Sequence, residues 1–409
     1  MRTIGRSPVA LWSAFMVVHL WIGLLNLYGP GLPLGDVSIV YKFWSDQVFL
    51  AGFWVGIDSS WVYPVLAIFP MLAAGALGPG LYVSTWLSLM MILDAVAFAS
   101  IIGWRRTTRR DGVRVVAAWS WLGFLLLLGP IALGRIDTVT IALGIVGVMF
   151  AATRPRLAAL ILSIAAWVKV WPAAIVAAMV VALGDRLRVL GTAVLVSMLV
   201  IAGALSFGSG ANVLSFVTQQ TGRGLQVEAP VSTIWLWQAF AGVPGTYLYY
   251  DQHILTWQVT GDGVGIVGAF MTPLMALAVA AIVLVAVLAV RRGAEPPMVL
   301  ATLSLALVAA LIVFNKVGSP QFIGWLAVPL VLGLVTRHPE DRWWFVVPAV
   351  VSAVVAVMTQ AIYPYLYGWL LGLHPVMLAA LTARNALVVV LLGWAVHALW
   401  AMARPETVD

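Results

Sequence analysis

Long apolar segments separated by short polar connections recur along the whole chain. A helix needs about 20 apolar residues to cross the hydrocarbon core of a bilayer. The pattern predicts an all-α polytopic membrane protein in which residues 1–409 form a single integral-membrane domain of about 12 transmembrane helices. The predicted helices are 8–28, 82–103, 115–134, 138–153, 157–168 with 172–183, 189–207, 265–290, 298–314, 320–336, 343–361 and 376–402.

Two predicted helices, 157–168 and 172–183, are too short for two full spans. Pro172 interrupts the helix shortly after Lys169, because proline removes a backbone donor. We interpret the pair as two short helices that meet near the outer face. Non-helical backbone at membrane depth persists only where it is buried in protein or lines a cavity. We therefore expect the break to do one or the other.

Segment 62–77 allows two topologies. As a span, it inverts every later helix and places the basic run at 104–114 outside, whereas as a helix on the outer surface it leaves that run in the cytoplasm. We adopt the second topology. It creates two large outer loops: 29–81, with surface helices at 36–50 and 62–77, and 208–264, whose aromatic residues suit the headgroup level.

Composition agrees with a membrane protein. The chain is 63% hydrophobic and 9% charged, whereas soluble domains carry about 25% charged residues. It has no cysteine, which excludes disulfides, zinc thiolates and thiol catalysis. We interpret the net charge of +7 as anchoring against anionic lipid rather than nucleic-acid binding. The first apolar run is not followed by a small-residue cleavage site, so a retained helix is expected rather than a signal peptide.

The basic residues are sorted by membrane side, as the positive-inside rule requires. This topology predicts a multi-pass protein of the plasma membrane with both termini in the cytoplasm. Of the 22 Lys and Arg residues, 16 fall in cytoplasmic ends: Arg2, Arg6, Arg105, Arg106, Arg109, Arg110, Arg114, Arg154, Arg156, Arg186, Arg188, Arg291, Arg292, Arg337, Arg342 and Arg404.

Six basic residues remain at the outer face or in its half of the membrane. They lie next to acidic or polar residues in the sequence, and charges near hydrocarbon that topology does not require indicate a functional site. The six are Lys42, Arg135, Lys169, Arg223, Lys316 and Arg384, and their polar neighbours are Asp36, Asp137, Glu228 and Gln321.

Asp36 begins the predicted surface helix DVSIVYKFWSDQ. Its carboxylate is either a plain N-cap, stabilised by the helix dipole, or a general base below the first outer loop. Asp46 and Asp58 are the competing carboxylates. We expect Asp46 to be solvated and Asp58 to start a turn.

Three other charged positions each allow two interpretations. In the run GRID (134–137), Arg135 and Asp137 either pair with each other or also meet substrate. Lys169 either snorkels to the interface or contacts a phosphate as a point charge, and the break at Pro172 favours the phosphate. Arg384, about two turns into the last helix, needs an ion-pair partner or a phosphate.

Two polar segments complete the candidates. Arg223 and Glu228, in TGRGLQVEAP, are either solvated loop charges or site residues. The segment FNKVGSPQF between two apolar helices is expected to be a tight turn that faces a cavity, with Asn315, Lys316, Ser319 and Gln321 as its polar residues. Asp94, within span 82–103, is expected to be protonated or hydrogen-bonded to a neighbouring helix and is given no role.

Metal and nucleotide chemistry find no support in the sequence. The five histidines are scattered without an i,i+4 pair or a carboxylate cage. The sequence also lacks a Walker or dinucleotide glycine motif on a strand–helix unit, which argues against an ATP-driven pump. We predict neither a metal nor a cofactor.

Six motifs follow one another between residues 35 and 325: GDVSIVYKFW (35–44), WVYPVLAIFP (61–70), GRIDTVTIALG (134–144), AAWVKVWP (165–172), RGLQVE (223–228) and NKVGSPQFIGW (315–325). Together they resemble the polyprenol-phosphate-mannose-dependent glycosyltransferases of the integral-membrane GT-C superfamily, and most closely the bacterial phosphatidylinositol-mannoside α-1,2-mannosyltransferases. RGLQVE followed by NKVGSPQ is the specific pair. Two places depart from the pattern: Gln321, Phe322 and Trp325 stand where close members tend to carry histidines, and Tyr-Pro-Val stands for Tyr-Pro-Pro.

The resemblance implies a GT-C-like bundle with juxtamembrane helices of the first loop on the outer face. It implies Asp36 as the general base, with Lys169, Arg223 and Lys316 contacting the lipid phosphate or donor sugar, and we add Arg384 to that set. The substrate-binding residues are then expected to be Tyr41, Arg135, Asp137, Glu228, Asn315, Ser319 and Gln321.

The implied reaction is an inverting transfer of a sugar, with mannose favoured, from a polyprenyl-phosphate donor to a glycolipid or polysaccharide of the cell envelope. The expected partners are therefore the bilayer, the donor and the acceptor. A phosphate leaving group needs cations and the acceptor hydroxyl needs one base, so this chemistry requires no metal.

Two other classes remain as alternatives. A secondary transporter of a lipid or sugar favours inverted repeats with paired broken helices, and only the break at 169–172 is found. A membrane scaffold does not need outer cations beside acidic or polar residues.

Overall fold

The computed structural model of the protein describes residues 4–103, 112–219, 223–336 and 344–404. Its α-helices are α1 Pro8–Tyr28, α2 Lys42–Ala51, α3 Ile68–Gly75, α4 Tyr82–Ile102, α5 Gly112–Leu128, α6 Asp137–Phe150, α7 Pro155–Val168, α8 Ala173–Ala182, α9 Arg186–Ser206, α10 Ser215–Thr218, α11 Thr233–Phe240, α12 Val264–Arg291, α13 Pro296–Val313, α14 Ala327–Val335, α15 Val346–Gln360, α16 Tyr367–Leu371 and α17 Pro375–Met402. Proline opens α1, α7, α13 and α17, where its missing N–H costs no helical hydrogen bond.

Eight helical segments of the described ranges are long and apolar enough to cross a membrane: Pro8–Tyr28, Pro79–Ile102, Gly112–Ala132, Arg186–Ser206, Val264–Arg291, Pro296–Val313, Val346–Tyr365 and Pro375–Met402. The predicted all-α polytopic class is therefore confirmed. Other predicted spans fall on shorter apolar helices, Asp137–Phe150, Pro155–Val168, Ala173–Ala182 and Pro320–Val335, so the count of about twelve is not confirmed.

Short turns join many successive helices, so these neighbours run in opposite directions. The described basic residues of the cytoplasmic prediction come together at one end, where Arg292 Nη1 donates to the Ala403 carbonyl (2.5 Å) and Arg114 Nη1 to the Ile101 carbonyl (3.1 Å). We call this the basic end and the opposite one the site end. Seven arginines of the prediction lie outside the described residues: Arg2, Arg105, Arg106, Arg109, Arg110, Arg337 and Arg342.

Small residues allow the central helices to approach closely, as is usual in membrane bundles. A Cβ at Gly147 of α6 would lie 2.7 Å from Leu162 Cγ of α7. A Cβ at Gly333 of α14 would lie 2.2 Å from the Phe345 ring. Helix α13 is buried along nearly its whole length and packs against α8, α12 and α17. The core thus lies around α13 and α14.

Segment 29–81, which the sequence predicts as the first outer loop, contains short helices. A π-helical turn, Asp36–Tyr41, leads into α2, and the 3-10 turn Val65–Ala67 leads into α3. The helix Val65–Gly75 is about 16 Å long at 1.5 Å per residue, which is too short to cross a bilayer. Its length supports our choice of a surface helix for segment 62–77.

Segment 208–264, which the sequence predicts as the second outer loop, contains a β-hairpin that the sequence did not predict. Strand β1 (Tyr247–Asp251) pairs antiparallel with β2 (Thr256–Thr260). The segment 225–227 pairs with the other edge of β2 through hydrogen bonds from Val259 N to the Leu225 carbonyl (3.0 Å) and from Val227 N to the Trp257 carbonyl (3.1 Å). The RGLQVE motif is therefore held in place as a third strand.

Asp94 has the neighbouring-helix partner that a buried carboxyl requires. Its Oδ2 lies 3.1 Å from Nε2 of His19 on α1, and both side chains are buried. His19 Nδ1 is bonded to the Phe15 carbonyl at 2.9 Å. This pair joins α1 to α4 within the bundle.

Candidate functional site

Asp36 lies at the start of the π-helical turn at the site end. Its Oδ2 is 3.0 Å from Nε of Arg135, although the two groups are not aligned for a hydrogen bond. The Asp36 side chain is 41% exposed, whereas that of Arg135 is 5% exposed. The buried guanidinium of Arg135 thus holds one side of the Asp36 carboxylate, and the other side remains open to an incoming molecule.

Arg135 is fixed by the loops around it. Its Nη1 donates to the carbonyls of Pro33 and Gly134 (both 2.7 Å), and its Nη2 donates to the Tyr363 hydroxyl (2.7 Å). These bonds use the planar fork of donors that distinguishes arginine from lysine. Because Arg135 cannot turn away, it sets the position of the Asp36 carboxylate.

Asp137 forms a second ion pair, with Lys169. The Lys169 Nζ lies 2.6 Å from Asp137 Oδ2, and Trp325 Nε1 donates to Asp137 Oδ1 at 2.6 Å. Three sequence motifs, GRID, AAWVKVWP and NKVGSPQFIGW, therefore meet at one carboxylate. The predicted alternative in which Arg135 and Asp137 pair with each other is wrong, since each residue is matched to a charge from a distant segment.

Aromatic rings surround the Lys169 ammonium. Its Nζ lies 5.1 Å from the centre of the Phe322 ring, 5.6 Å from that of Tyr63 and 5.9 Å from that of Trp325. Cations within about 6 Å of a ring face are attracted by its quadrupole. The Lys169 side chain is 13% exposed, whereas Val170, the next residue of the break, is 50% exposed and lines an apolar groove. The Asp137 partner of Lys169 was not predicted.

Tyr63 links the two ion pairs electrostatically. Desolvation raises the pKa of its phenol, and the negative charges of Asp36 and then Asp137 raise it further, while Arg223 lowers it. The phenol therefore stays neutral and can donate a hydrogen bond. Tyr63 stands in the WVYP motif but was not among the predicted site residues; the motif was its only sequence signal. Tyr41, which was predicted, lies next to it, and its hydroxyl accepts from Ile136 N at 3.3 Å.

Glu228 and Arg384 form a buried cluster beside the ion pairs. Glu228 Oε1 accepts from the Tyr367 hydroxyl (2.8 Å), and Arg384 Nη1 donates to the Glu228 backbone carbonyl (3.2 Å). Arg384 also donates to Asn385 Oδ1 at 3.0 Å. Desolvation raises the pKa of Glu228, more than its hydrogen bonds and Arg384 lower it. Arg384 was expected to need an ion-pair partner or a phosphate, and its two hydrogen bonds go instead to neutral oxygens.

The RGLQVE and NKVGSPQ motifs are in direct backbone contact. A Cβ at Gly318 would lie 2.1 Å from Ala229 N and 2.2 Å from the Glu228 carbonyl carbon, so only glycine fits there. Gln226 N donates to the Lys316 carbonyl (3.0 Å), and Ser319 Oγ donates to Gln226 Oε1 (3.3 Å). The segment is thus a tight turn that packs against the Glu228 segment, and its predicted exposure to a cavity stays a prediction.

Arg223 and Lys316 are two cations close to this junction. Desolvation lowers the pKa of Arg223, while Tyr63 and Asp251 raise it. Desolvation, and then the charge of Arg223, lower the pKa of Lys316. Two partly desolvated cations that repel each other form a site whose electrostatic energy an anion would lower.

The remaining predicted residues take supporting places. Asn315 Oδ1 accepts from Val317 N (2.9 Å), which closes the turn, and Gln321 is buried in the 3-10 helix Pro320–Leu326. Asp46 pairs with Lys42 at 2.5 Å on α2, and Asp58 Oδ2 accepts from Trp54 N (2.6 Å) in a turn. Within the described part of the chain, no group of three or more His, Cys, Asp or Glu side chains could hold a metal.

The fold and these contacts define a polytopic membrane protein with a charged site at one end of its helix bundle. The chain belongs to glycosyltransferase family 87, a GT-C-like family whose model matches residues 61–314. It is similar to ArnT from Cupriavidus metallidurans, solved as a crystal structure in the apo state, at 14% identity over 97% of this chain and 78% of that chain, with a TM-score of 0.45. No curated protein matches the sequence. The match to the family model confirms the resemblance to GT-C glycosyltransferases, and a relation to phosphatidylinositol-mannoside mannosyltransferases stays a prediction.

Proposed function

We propose that this membrane glycosyltransferase works at the outer face and moves a sugar, with mannose favoured, from a polyprenyl-phosphate donor to a glycolipid or polysaccharide acceptor of the cell envelope. The observation that carries the proposal is the half-exposed Asp36 carboxylate held against buried Arg135, with Arg223 acting electrostatically both on nearby Tyr63 and on Lys316. A base and an anion site are the two components that this transfer requires.

The proposed reaction is a single displacement at the anomeric carbon. The acceptor hydroxyl oxygen forms a bond to that carbon while the bond from the carbon to the phosphate oxygen breaks, which inverts the configuration. Asp36 takes the hydroxyl proton, and the polyprenyl phosphate leaves with the electron pair of the broken bond. The phosphate needs no protonation to leave, so a second carboxylate is unnecessary.

We assign the leaving phosphate to Arg223 and Lys316, because both cations are partly desolvated and Arg223 acts electrostatically on Lys316. The charge of Lys169 is already balanced by Asp137 at 2.6 Å, so this residue contributes less net positive charge than the sequence suggested. Arg384 is likewise engaged with the Glu228 carbonyl and Asn385. In this proposal Lys169 and Arg384 pack with Asp137 and Glu228 in the walls of the site. The first contacts with the phosphate come from Arg223 and Lys316.

An apolar groove supports a donor with a lipid tail. It has a volume of about 490 Å³, lies between α7, α8 and α9, and is lined by small and apolar residues. Trp167 and Val170, on either side of Lys169 in the chain, form part of its wall. A prenyl tail in this groove would have its phosphate end near the helix break.

The orientation of the site rests on charge sorting. The described arginines of the basic end lie away from Asp36 and Lys316, and positive residues stay in the cytoplasm. We therefore propose cytoplasmic termini and an outer site. Nucleotide sugars are confined to the cytoplasm, so an outer site requires a lipid-linked donor.

The test is sugar transfer by the purified protein in lipid nanodiscs. Radiolabelled mannosyl, glucosyl and arabinosyl polyprenyl phosphates are offered with an envelope lipid extract, and GDP-mannose serves as the matched nucleotide-linked donor. We expect labelled glycolipid from at least one lipid-linked donor and none from GDP-mannose. Transfer from GDP-mannose alone would contradict the proposal, and sugar flux into liposomes without any transfer would favour a transporter.

A further inference from the structure

The hairpin of the second outer loop has two unlike faces. On one face, Leu248, Trp257 and Val259 pack against the apolar cluster around Trp235 and Leu236 of α11. The opposite face, which we call the tyrosine face, carries alternate residues of both strands, because side chains alternate along a strand. Its members are Tyr247, Tyr249 and Asp251 from β1 and Thr256, Gln258 and Thr260 from β2.

Rings on the tyrosine face are accessible, and polar groups lie beside them. Tyr247 is 59% exposed and Tyr249 is 38% exposed. The Tyr249 hydroxyl donates to Gln258 Oε1 (3.2 Å), and Gln258 Nε2 donates to Thr256 Oγ1 (3.4 Å). The Tyr249 ring is therefore held in one orientation while part of it remains uncovered.

The tyrosine face is continuous with the charged site. Gln226 is the bridge partner of Gln258 on the neighbouring strand and accepts from Ser319 of the NKVGSPQ turn. Gly224 lies directly over Gln258, since a Cβ there would be 2.1 Å from its Oε1. Asp251 acts electrostatically on Arg223. A molecule lying on Tyr249 would thus extend toward the two cations.

We propose that the tyrosine face is the subsite for the acceptor's sugar, a pyranose ring that lies on Tyr249 and Tyr247 and bonds through its hydroxyls to Thr260, the strand partner of Tyr247. A pyranose has an apolar C–H face and a polar rim, and an aromatic ring flanked by polar side chains matches both. This inference rests on the proposed function and names the chemistry of the acceptor: a glycan already bearing a hexose.

A lipid-headgroup role for the same tyrosines is the competing explanation, because tyrosine is enriched at membrane interfaces. The observations favour a sugar. The exposed rings alternate with an acid and two threonines on one face, and that face adjoins the site. Tyr250, on the opposite face, is 44% exposed and packs on Trp257 with a ring separation of 5.4 Å, so it provides a matched control.

The test is saturation-transfer NMR on the full-length protein in nanodiscs, with methyl α-D-mannopyranoside as the probe and mannitol, the acyclic polyol that corresponds to mannose, as its control. We expect transfer to the pyranoside and much less to mannitol. Tyr249→Ala and Tyr247→Ala should each weaken binding about tenfold, the loss of one ring contact. Tyr250→Ala should bind as the wild type does, and Tyr249→Phe, which keeps the ring, should bind within about threefold.

Equal losses in Tyr249→Ala and Tyr250→Ala, or no saturation transfer in the wild type, would overturn the inference. No donor is present, so the result is independent of catalysis: binding without transfer would count against the proposed function alone. Thermal melting identifies a variant that fails to fold; if Tyr249→Ala does so, Tyr247→Ala at the more exposed ring decides the point.

A spin label distinguishes a sugar subsite from the lipid-headgroup role of the tyrosines. The sequence has no cysteine, so His253→Cys at the exposed hairpin turn gives one labelling site without background. We expect the label to be more accessible to a water-soluble nickel chelate than to oxygen. The reverse order would place the hairpin in lipid and overturn the inference.

Discussion

The Asp36 carboxylate faces Arg135, with Oδ2 and Nε 3.0 Å apart, and this contact joins segment 29–81 to the GRID turn. The arginine is buried and held by two carbonyls and a tyrosine, whereas the carboxylate is half-exposed. The loop that carries the proposed base is thus positioned by a residue that cannot move with it. This asymmetry is what a base that must meet an incoming hydroxyl requires.

Asp36→Asn tests the proposed base. Asparagine keeps the shape of the side chain but cannot accept the proton, so transfer should fall by about 10²–10⁴-fold. The measurement is the initial rate of label transfer from the active lipid-linked donor. Asp46→Asn is the matched control, because Asp46 pairs with Lys42 on α2, and it should retain nearly full activity. Wild-type rates in Asp36→Asn would remove Asp36 from the chemistry.

The Lys169–Asp137 pair should be strongly coupled in stability. Removing one partner of a buried pair leaves an unbalanced charge, so Lys169→Met or Asp137→Asn alone should lower the free energy of unfolding by about 3–5 kcal/mol. The double variant should recover much of that loss. Denaturant unfolding in mixed micelles measures the cycle.

The Lys42–Asp46 pair provides the control cycle, since its side chains are 28% and 34% exposed. Its coupling should be about 0–1 kcal/mol. Equal coupling in the two cycles would show that Lys169 is not balanced by Asp137, and its assignment to donor phosphate would regain support.

Gly318→Ala should push apart the RGLQVE and NKVGSPQ motifs, which are in backbone contact at this glycine. The new Cβ would meet backbone atoms of Glu228 and Ala229, which cannot rotate away, so we expect a loss of about 1–3 kcal/mol or more in stability and a larger loss of transfer. Gly265→Ala in α12 is the control, because its Cβ would meet nothing within 4 Å. Thermal melting and transfer rates compare the two. Equal behaviour would mean that the contact does not constrain the turn.

Glu228 should make stability depend on pH. Desolvation raises its pKa above the ordinary value of 4.5, so the folded state binds the proton more tightly than the unfolded state. As pH rises above 4.5, the unfolded state loses this proton first, and the free energy of unfolding falls. Glu228→Gln carries no such proton. The melting temperature of the wild type, relative to Glu228→Gln, should therefore decline between acidic and neutral pH; a constant difference would contradict the raised pKa.

The loss of the Lys316 proton should set the alkaline limit of donor binding, the pH above which the donor binds weakly. Desolvation and Arg223 lower the pKa of Lys316, so its ammonium is lost at lower pH than that of an ordinary lysine, and phosphate binding should weaken as pH rises. Arg223→Gln removes one cause of the lowered pKa. It should move the alkaline limit to higher pH while weakening affinity overall.

Donor affinity measured across pH for the wild type, Arg223→Gln and Lys316→Ala tests this coupling. Lys42→Ala, whose ammonium is paired with Asp46, should leave affinity unchanged. An alkaline limit that stays in place in Arg223→Gln would mean that the two cations do not share an anion.

The sequence predicted the helices well because hydropathy is a local property. The predicted segments 8–28 and 376–402 correspond to Pro8–Tyr28 and Pro375–Met402, and the break at Pro172 separates α7 from α8. An apolar run or a proline determines such a feature at positions only a few residues away along the chain. The motifs likewise located most polar residues of the site, from Asp36 to Gln321.

Only the tertiary structure decided which of those residues meet. The partners of Arg135, Lys169 and Arg384 come from distant segments, and Tyr63, Trp325 and Tyr367 join the site through packing rather than through charge in the sequence. The hairpin was missed because its strands are short and lie within an aromatic loop. An ion pair depends on the distance between helices packed side by side, and that distance is set by the whole bundle.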